Sequence, residues 1–147
     1  MKETHPLKRK SIKPSASTIR GMLPGPQFRA LDAAMQSLRS AGLRLEWAWK
    51  DKDLGWVCMG LLGEDTVCTL VPTADPFVGR IELTRAQQKA AGEHPDMPKK
   101  FKVVLAHPGE ETKTRVVYEF ELNTTAERDL LSDFVEAVAP FFEDAEA

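Results

Sequence analysis

The stretch LRLEWAWKDKDLGWVCMGLL, residues 43–62, decides how this chain is read. Leu43, Leu45, Trp47 and Trp49 alternate with Arg44, Glu46, Ala48 and Lys50. A period of two places successive side chains on opposite faces of a strand. DKDLG then supplies turn residues, with Gly55 free to take a positive φ, and GWVCMGLL forms a second strand. With residues 51–54 as a four-residue loop, Lys50 faces Gly55 and the ladder pairs Trp49 with Trp56, Trp47 with Cys58 and Leu45 with Gly60. All three tryptophans of the chain then share one sheet face. They can be core residues that staple the hairpin, line a partly open cavity under a helix, or form an exposed patch, and alternation alone leaves the three readings open.

Outward from the hairpin the pattern stays regular. GED turns the chain into TVCTLVP, a third strand closed by Pro72, and TADP turns it into FVGRIEL, a fourth. In that fourth strand Phe77, Gly79, Ile81 and Leu83 share one face, and Val78, Arg80 and Glu82 the other. Upstream, Pro26 opens a helix over 26–41 in which Phe28, Leu31, Met35 and Leu38 recur at helical spacing and Gly42 is the stop. Downstream, Thr84 and Gln87 form a capping box for a helix over 85–91 ended by Gly92. Residues 98–106 admit helix or strand: Phe101, Val104 and Leu105 fit one helical face while valine favours extended backbone. The expectation is helix. HPGEETKT is a loop, RVVYEFEL a fifth strand with Val116, Tyr118, Phe120 and Leu122 alternating. A second capping box, Thr124 and Glu127, begins a last helix lined by Leu130, Leu131, Phe134, Val135 and Val138 and ended by Pro140.

The order is α-β-β-β-β-α-(α)-β-α. It implies an α+β fold, an antiparallel sheet of about five strands, a four-strand meander plus one, with helices packed on one face. The expected organisation is a basic, mostly disordered leader over 1–24, a single domain over 25–141 and an acidic tail over 142–147. With 147 residues, 42% hydrophobic and 29% charged, the chain has the composition of one ordinary globular domain. Its apolar runs are too short to span a bilayer, and no apolar stretch follows the N-terminal positive charges as a secretory signal requires. The expectation is a cytoplasmic protein with no membrane partner.

The net charge of −2 conceals an asymmetry. Residues 1–24 hold six basic side chains and one acid, a net of +5, which leaves −7 on the rest. A basic arm can contact phosphates, but this one lacks interleaved aromatics and precedes an acidic body, so nucleic acid is disfavoured as the main partner.

Recognisable catalytic machinery is missing. There is no Gly-rich phosphate loop, no H-E-x-x-H, no C-x-x-C and no nucleophile elbow. His5, His94 and His107 lie far apart and each directly precedes a proline, a loop signature rather than a metal set. Glu119 and Glu121 read as a solvated sheet face. Cys58 and Cys68 read as reduced strand thiols. No cofactor and no metal are expected, and the chain is read as non-enzymatic.

At the hairpin, through Leu45, Glu46, Trp47, Trp49, Lys50, Trp56 and Cys58, the chain resembles domain of unknown function family 3788, a group of uncharacterised bacterial proteins. The resemblance spans about residues 26–140 and implies the same order of N-terminal helix, strands and C-terminal helix. It implies no activity and no site residue.

Three readings of function follow. The first is a binding domain for a small apolar or aromatic ligand held between the Trp-bearing sheet and a helix, with Trp47, Trp49, Trp56, Phe77, Arg80 and Tyr118 as contacts. In it Gly60 and Gly79 leave room for a close approach. The second is a protein-interaction or homodimerisation module built on a sheet edge. The third is weak nucleic-acid association through the basic arm.

Overall fold

The computed structural model describes residues 13–14, 19–23, 25–52, 54–72 and 77–142. Most of the expected leader and the end of the acidic tail lie outside the described residues. Within them the chain runs α1 (Ile19–Met22), α2 (Gly25–Ser40), β1 (Arg44–Asp51), β2 (Gly55–Leu62), β3 (Asp65–Val71), β4 (Val78–Thr84), α3 (Arg85–Glu93), α4 (Lys99–Ala106), β5 (Glu110–Glu111), β6 (Arg115–Glu121) and α5 (Thr125–Val138), closed by a 3-10 turn at Ala139–Phe141. The strands form one antiparallel sheet in the order β1-β2-β3-β4-β6-β5. None of the described helices is long and apolar enough to cross a membrane.

The hairpin has the expected register: Trp49 stands opposite Trp56, Trp47 opposite Cys58 and Leu45 opposite Gly60. The loop is one residue tighter than expected. Asp51, not Lys50, pairs with Gly55, and Lys50 is the extra residue of a bulge. The reason is local. The Asp51 carboxylate accepts a 2.8 Å hydrogen bond from the Leu54 backbone N–H, and Gly55 takes φ +72°, which together close the turn early.

One face of the sheet is covered. Leu31, Ala34 and Leu38 of α2, Leu131, Phe134, Val135 and Val138 of α5, Phe101 and Leu105 of α4 and Ala91 of α3 pack against Cys58, Cys68, Leu70, Ile81, Leu83, Val116, Tyr118 and Phe120. Phe134 sits at the centre, fully buried, with ring centroids 5.3 Å from Phe101, 5.6 Å from Tyr118 and 5.2 Å from Phe120. Such edge and tilted contacts each add about 0.5–1.5 kcal/mol to the area buried. Tyr118 carries its polar end into this core and satisfies it by donating a 2.6 Å hydrogen bond to the Leu105 carbonyl.

Both capping boxes form. Thr84 and Gln87 exchange side-chain and backbone bonds at the start of α3, and Thr124 and Glu127 do so at α5. Residues 99–106 are helical, as expected. Four features depart from expectation. Helix α3 runs through Gly92 to Glu93 and stops at His94, whose extended backbone (ψ 130°) is the geometry forced on a residue before proline. Leu130 is 38% exposed, because the core face of α5 is set by the 131, 134, 135, 138 spacing and Leu130 falls outside it. A sixth strand, Glu110–Glu111, pairs with Val117 and Val116 inside the expected loop, too short and too acidic to show an apolar alternation. Finally the domain reaches beyond 25–141. Ile19, the first residue of α1, Leu23, just after it, and Phe142 are all buried in the core cluster.

Phe134→Ala removes the ring that joins α4, α5 and β6. We expect it to lower the unfolding free energy by about 3–5 kcal/mol, read as a lower urea midpoint at unchanged slope.

Candidate functional site

The sheet face opposite the helices holds the candidate site. Its side chains come from the alternate positions of the same strands: Val57 and Met59 of β2, Thr69 and Val71 of β3, Arg80 and Glu82 of β4, Arg115 and Val117 of β6. They floor a trough of about 620 Å³ that runs along the sheet. Lys50 and Leu54 of the first hairpin bound one end. Glu64 of the β2–β3 turn and Asp65 and Thr66 at the start of β3, with Gln87 and Phe142, bound the other.

The pairing explains the hollow. β4 and β6 pair from Val78–Glu121 through to Thr84–Arg115, whereas β3 and β4 pair only at Thr69–Arg80, Leu70–Gly79 and Val71–Val78. A bulge between Gly60 and Leu61 shifts the start of β3 as well. The first half of β3 thus diverges from the second half of β4, and Gln87 and Phe142 reach the trough at that divergence. The Gln87 amide makes the link. Its oxygen caps the Thr84 N–H at 2.8 Å while its nitrogen donates to the Phe141 carbonyl at 3.1 Å, which holds the C-terminal turn beside the start of α3.

Charge in the trough is balanced. Lys50, Arg80 and Arg115 stand against Glu64, Asp65 and Glu82. Arg80 lies 3.2 Å from Glu110 and 3.6 Å from Glu119, and Arg115 lies 3.1 Å from Glu82. Each guanidinium group thus has a carboxylate beside it, in solvent-exposed pairs. Between them Val57 and Val71, each 2% exposed, form with Val78, Leu54 and Met59 a small apolar cluster separate from the main core.

The six residues singled out from sequence do not converge on one spot. Trp47, Trp49, Trp56, Phe77 and Tyr118 all pack against the helix-side core cluster. Trp49 and Trp56 meet edge to face at 5.8 Å. Tyr118 lies on β6, with β3 and β4 between it and the tryptophan hairpin. Arg80 lines the trough on the opposite face. The room beside the strand glycines is taken by leucines: a Cβ on Gly60 would lie 2.7 Å from Leu43 Cδ1, and one on Gly79 would lie 3.0 Å from Leu131 Cδ2. The trough residues themselves had a sequence signal. GWVCMGLL and TVCTLVP are apolar at both parities, the mark of strands with two apolar faces.

Cys58 and Cys68 are free thiols on the helix side. Burial pushes the Cys58 thiol up from 9.0 to about 12, slightly opposed by Arg39. Burial pushes Cys68 up as well, helped by the neighbouring Cys58. Neither has the lowered pKa of a nucleophile. Among the described residues no three His, Cys, Asp or Glu side chains gather as a metal set. Comparison with protein-family models, with curated proteins and with solved structures found no match to this chain.

The raised thiols make stability depend on alkaline pH. Below about 9 both states keep the thiol protonated and the contribution is complete. Between 9.0 and about 12 the unfolded Cys58 ionises while the folded one does not, so the unfolded state binds fewer protons and stability falls. We expect a loss of up to about 1.4 kcal/mol per pH unit per thiol in that window. Urea titrations at a series of pH values should show it, and a Cys58→Ala, Cys68→Ala protein should show a shallower decline.

Proposed function

We propose that this protein is a non-enzymatic binding domain and that its ligand surface is the open face of the sheet. The observation that carries the reading is the trough: an apolar floor of Val57, Val71 and Val117 set among fixed hydrogen-bonding groups. Ligand sites place polar groups around an apolar surface, and here the polar and charged side chains outnumber the apolar ones. Thr66, Thr69, Thr84 and Gln87 supply those groups without net charge. Because the lining holds as many acids as cations, and Glu110 and Glu119 stand beside Arg80 as well, the trough disfavours a strongly anionic molecule and suits an uncharged or zwitterionic one with an apolar body. The small apolar ligand expected from sequence is thus retained as a class, and its place moves from the tryptophan side to the opposite side. The resemblance of the hairpin to domain of unknown function family 3788 is compatible with this reading and adds no residue to it.

The test is a methyl-resolved NMR screen of neutral and zwitterionic fragments. Binding should move the methyl signals of Val57, Val71 and Val117 and leave those of Leu31 and Leu131 in place. Thr69→Trp, which fills the floor, should abolish those shifts while the protein stays folded. Fragments that perturb only the helix-side core, or that bind Thr69→Trp as well as the natural protein, would overturn the assignment.

A further inference from the structure

The edges of the sheet differ. β5 is two residues long and its glutamates are engaged, Glu110 with Arg80 and Glu111 with Arg85 at 2.9 Å. At the other end β1 is an edge strand of eight residues, and only its β2 side is paired among the described residues. An edge strand presents a row of backbone N–H and C=O groups along its outer side, a template for another strand. Its helix-side face carries Leu45, Trp47 and Trp49, which pack only partly against the core. Its other face carries Arg44, Glu46, Ala48 and Lys50; Arg44, Glu46 and Lys50 are exposed, Arg44 and Glu46 pair with each other at 2.8 Å, and Lys50 reaches the trough.

We infer that β1 pairs antiparallel with β1 of a second copy, about a two-fold axis through Ala48, to make a continuous twelve-stranded sheet. Antiparallel partners must lie on the same face, so only registers with the axis through a residue pair are open to two identical strands. Two of these use the strand most fully. With the axis at Trp47, residues 44–50 overlap and Arg44 stands opposite Lys50 of the other copy, twice. With the axis at Ala48, residues 45–51 overlap and Glu46 stands opposite Lys50 of the other copy, twice. The first register places like charges together and the second opposite charges. An axis at Glu46 sets two glutamates face to face and shortens the overlap. Charge therefore selects Ala48, which is also the smallest side chain of the strand.

The same register sets Trp47 opposite Trp49 of the other copy on the helix side. The edge-to-face contact of Trp49 with Trp56 would then extend across the junction as a row of aromatic rings. Because the two-fold axis stands perpendicular to the sheet, both sets of helices lie on one side and both troughs on the other. The interface shares Lys50 with the end of the trough and uses no residue of its floor, so Glu46→Lys tests pairing without touching the trough.

The experiment is light scattering and sedimentation of the full chain over a wide concentration range. The natural protein should be a dimer. Glu46→Lys and Lys50→Glu should each weaken dimerisation by about tenfold or more, since each turns two attractive cross-strand pairs into repulsive ones. The double variant Glu46→Lys, Lys50→Glu should recover it. Register is read separately. Cα atoms opposite each other in an antiparallel ladder are about 4.5–5.5 Å apart, within reach of a disulfide. Ala48→Cys should link two chains on mild oxidation, whereas Glu46→Cys should not. A natural protein that is monomeric at every concentration, a charge swap that fails to restore the dimer, or cross-linking through Glu46→Cys in place of Ala48→Cys would overturn the inference. Circular dichroism of each variant separates loss of pairing from loss of fold.

Discussion

The structure depends on a single aromatic wedge. Phe134 inserts from α5 between Phe101 of α4 and the Tyr118 and Phe120 rings of β6. It joins three elements that follow one another closely in the chain, and with Leu131, Val135 and Val138 it commits α5 to one face of the sheet. Once α2 and α5 lie against that face, the helical material is spent on one side. The other side must be stable in contact with water. It manages this with a short apolar strip of Val57, Val71 and Val78 and with ion pairs, Arg80 to Glu110 and Glu119 and Arg115 to Glu82. Exposed pairs of this kind contribute little each, about 0–1 kcal/mol. Each sets an acid beside a guanidinium group along the trough.

Polar groups follow the same division. No charged side chain is buried among the described residues, and no buried side-chain nitrogen or oxygen lacks a partner. The polar atom most deeply committed to the core, the Tyr118 hydroxyl, shares the Leu105 carbonyl with the Gln88 amide, which donates at 2.9 Å. One carbonyl at the end of α4 therefore serves β6 and α3 together. Gln87, the next residue along, ties the α3 cap to the C-terminal turn. Two adjacent glutamines thus do the joining at the corner where helices, sheet and chain end meet.

Much of this was legible in residue order, because it is local. The period of two in residues 43–50 and the turn residues after it suffice for the Trp49–Trp56 and Trp47–Cys58 pairs. Thr84 with Gln87 and Thr124 with Glu127 announce two helix starts through the bonds their own side chains make. What was not legible depends on partners elsewhere. β5 exists because Val116 and Val117 offer a ladder, not because Glu110 and Glu111 favour extension. Ile19 and Phe142 are core residues because the packed domain offers them a place, which the polar neighbours of Ile19 and the acidic run after Phe142 conceal. The trough arises from the incomplete pairing of β3 with β4, a property of sheet order that no single strand encodes. The sequence groups Arg80 with aromatics that lie on the opposite face.

The unequal sheet edges have a consequence for what the protein cannot become. Endless stacking of strands needs two open edges on every molecule, one to receive and one to offer. Here the β5 end closes after two residues and its acids are already occupied by arginines. Growth by strand addition at the β1 end therefore stops once that edge has found a match. At the β5 end the ladder is covered only at Val116 and Val117, so a strand arriving there meets two glutamates already paired with arginines and has to displace β5 to use the whole of β6.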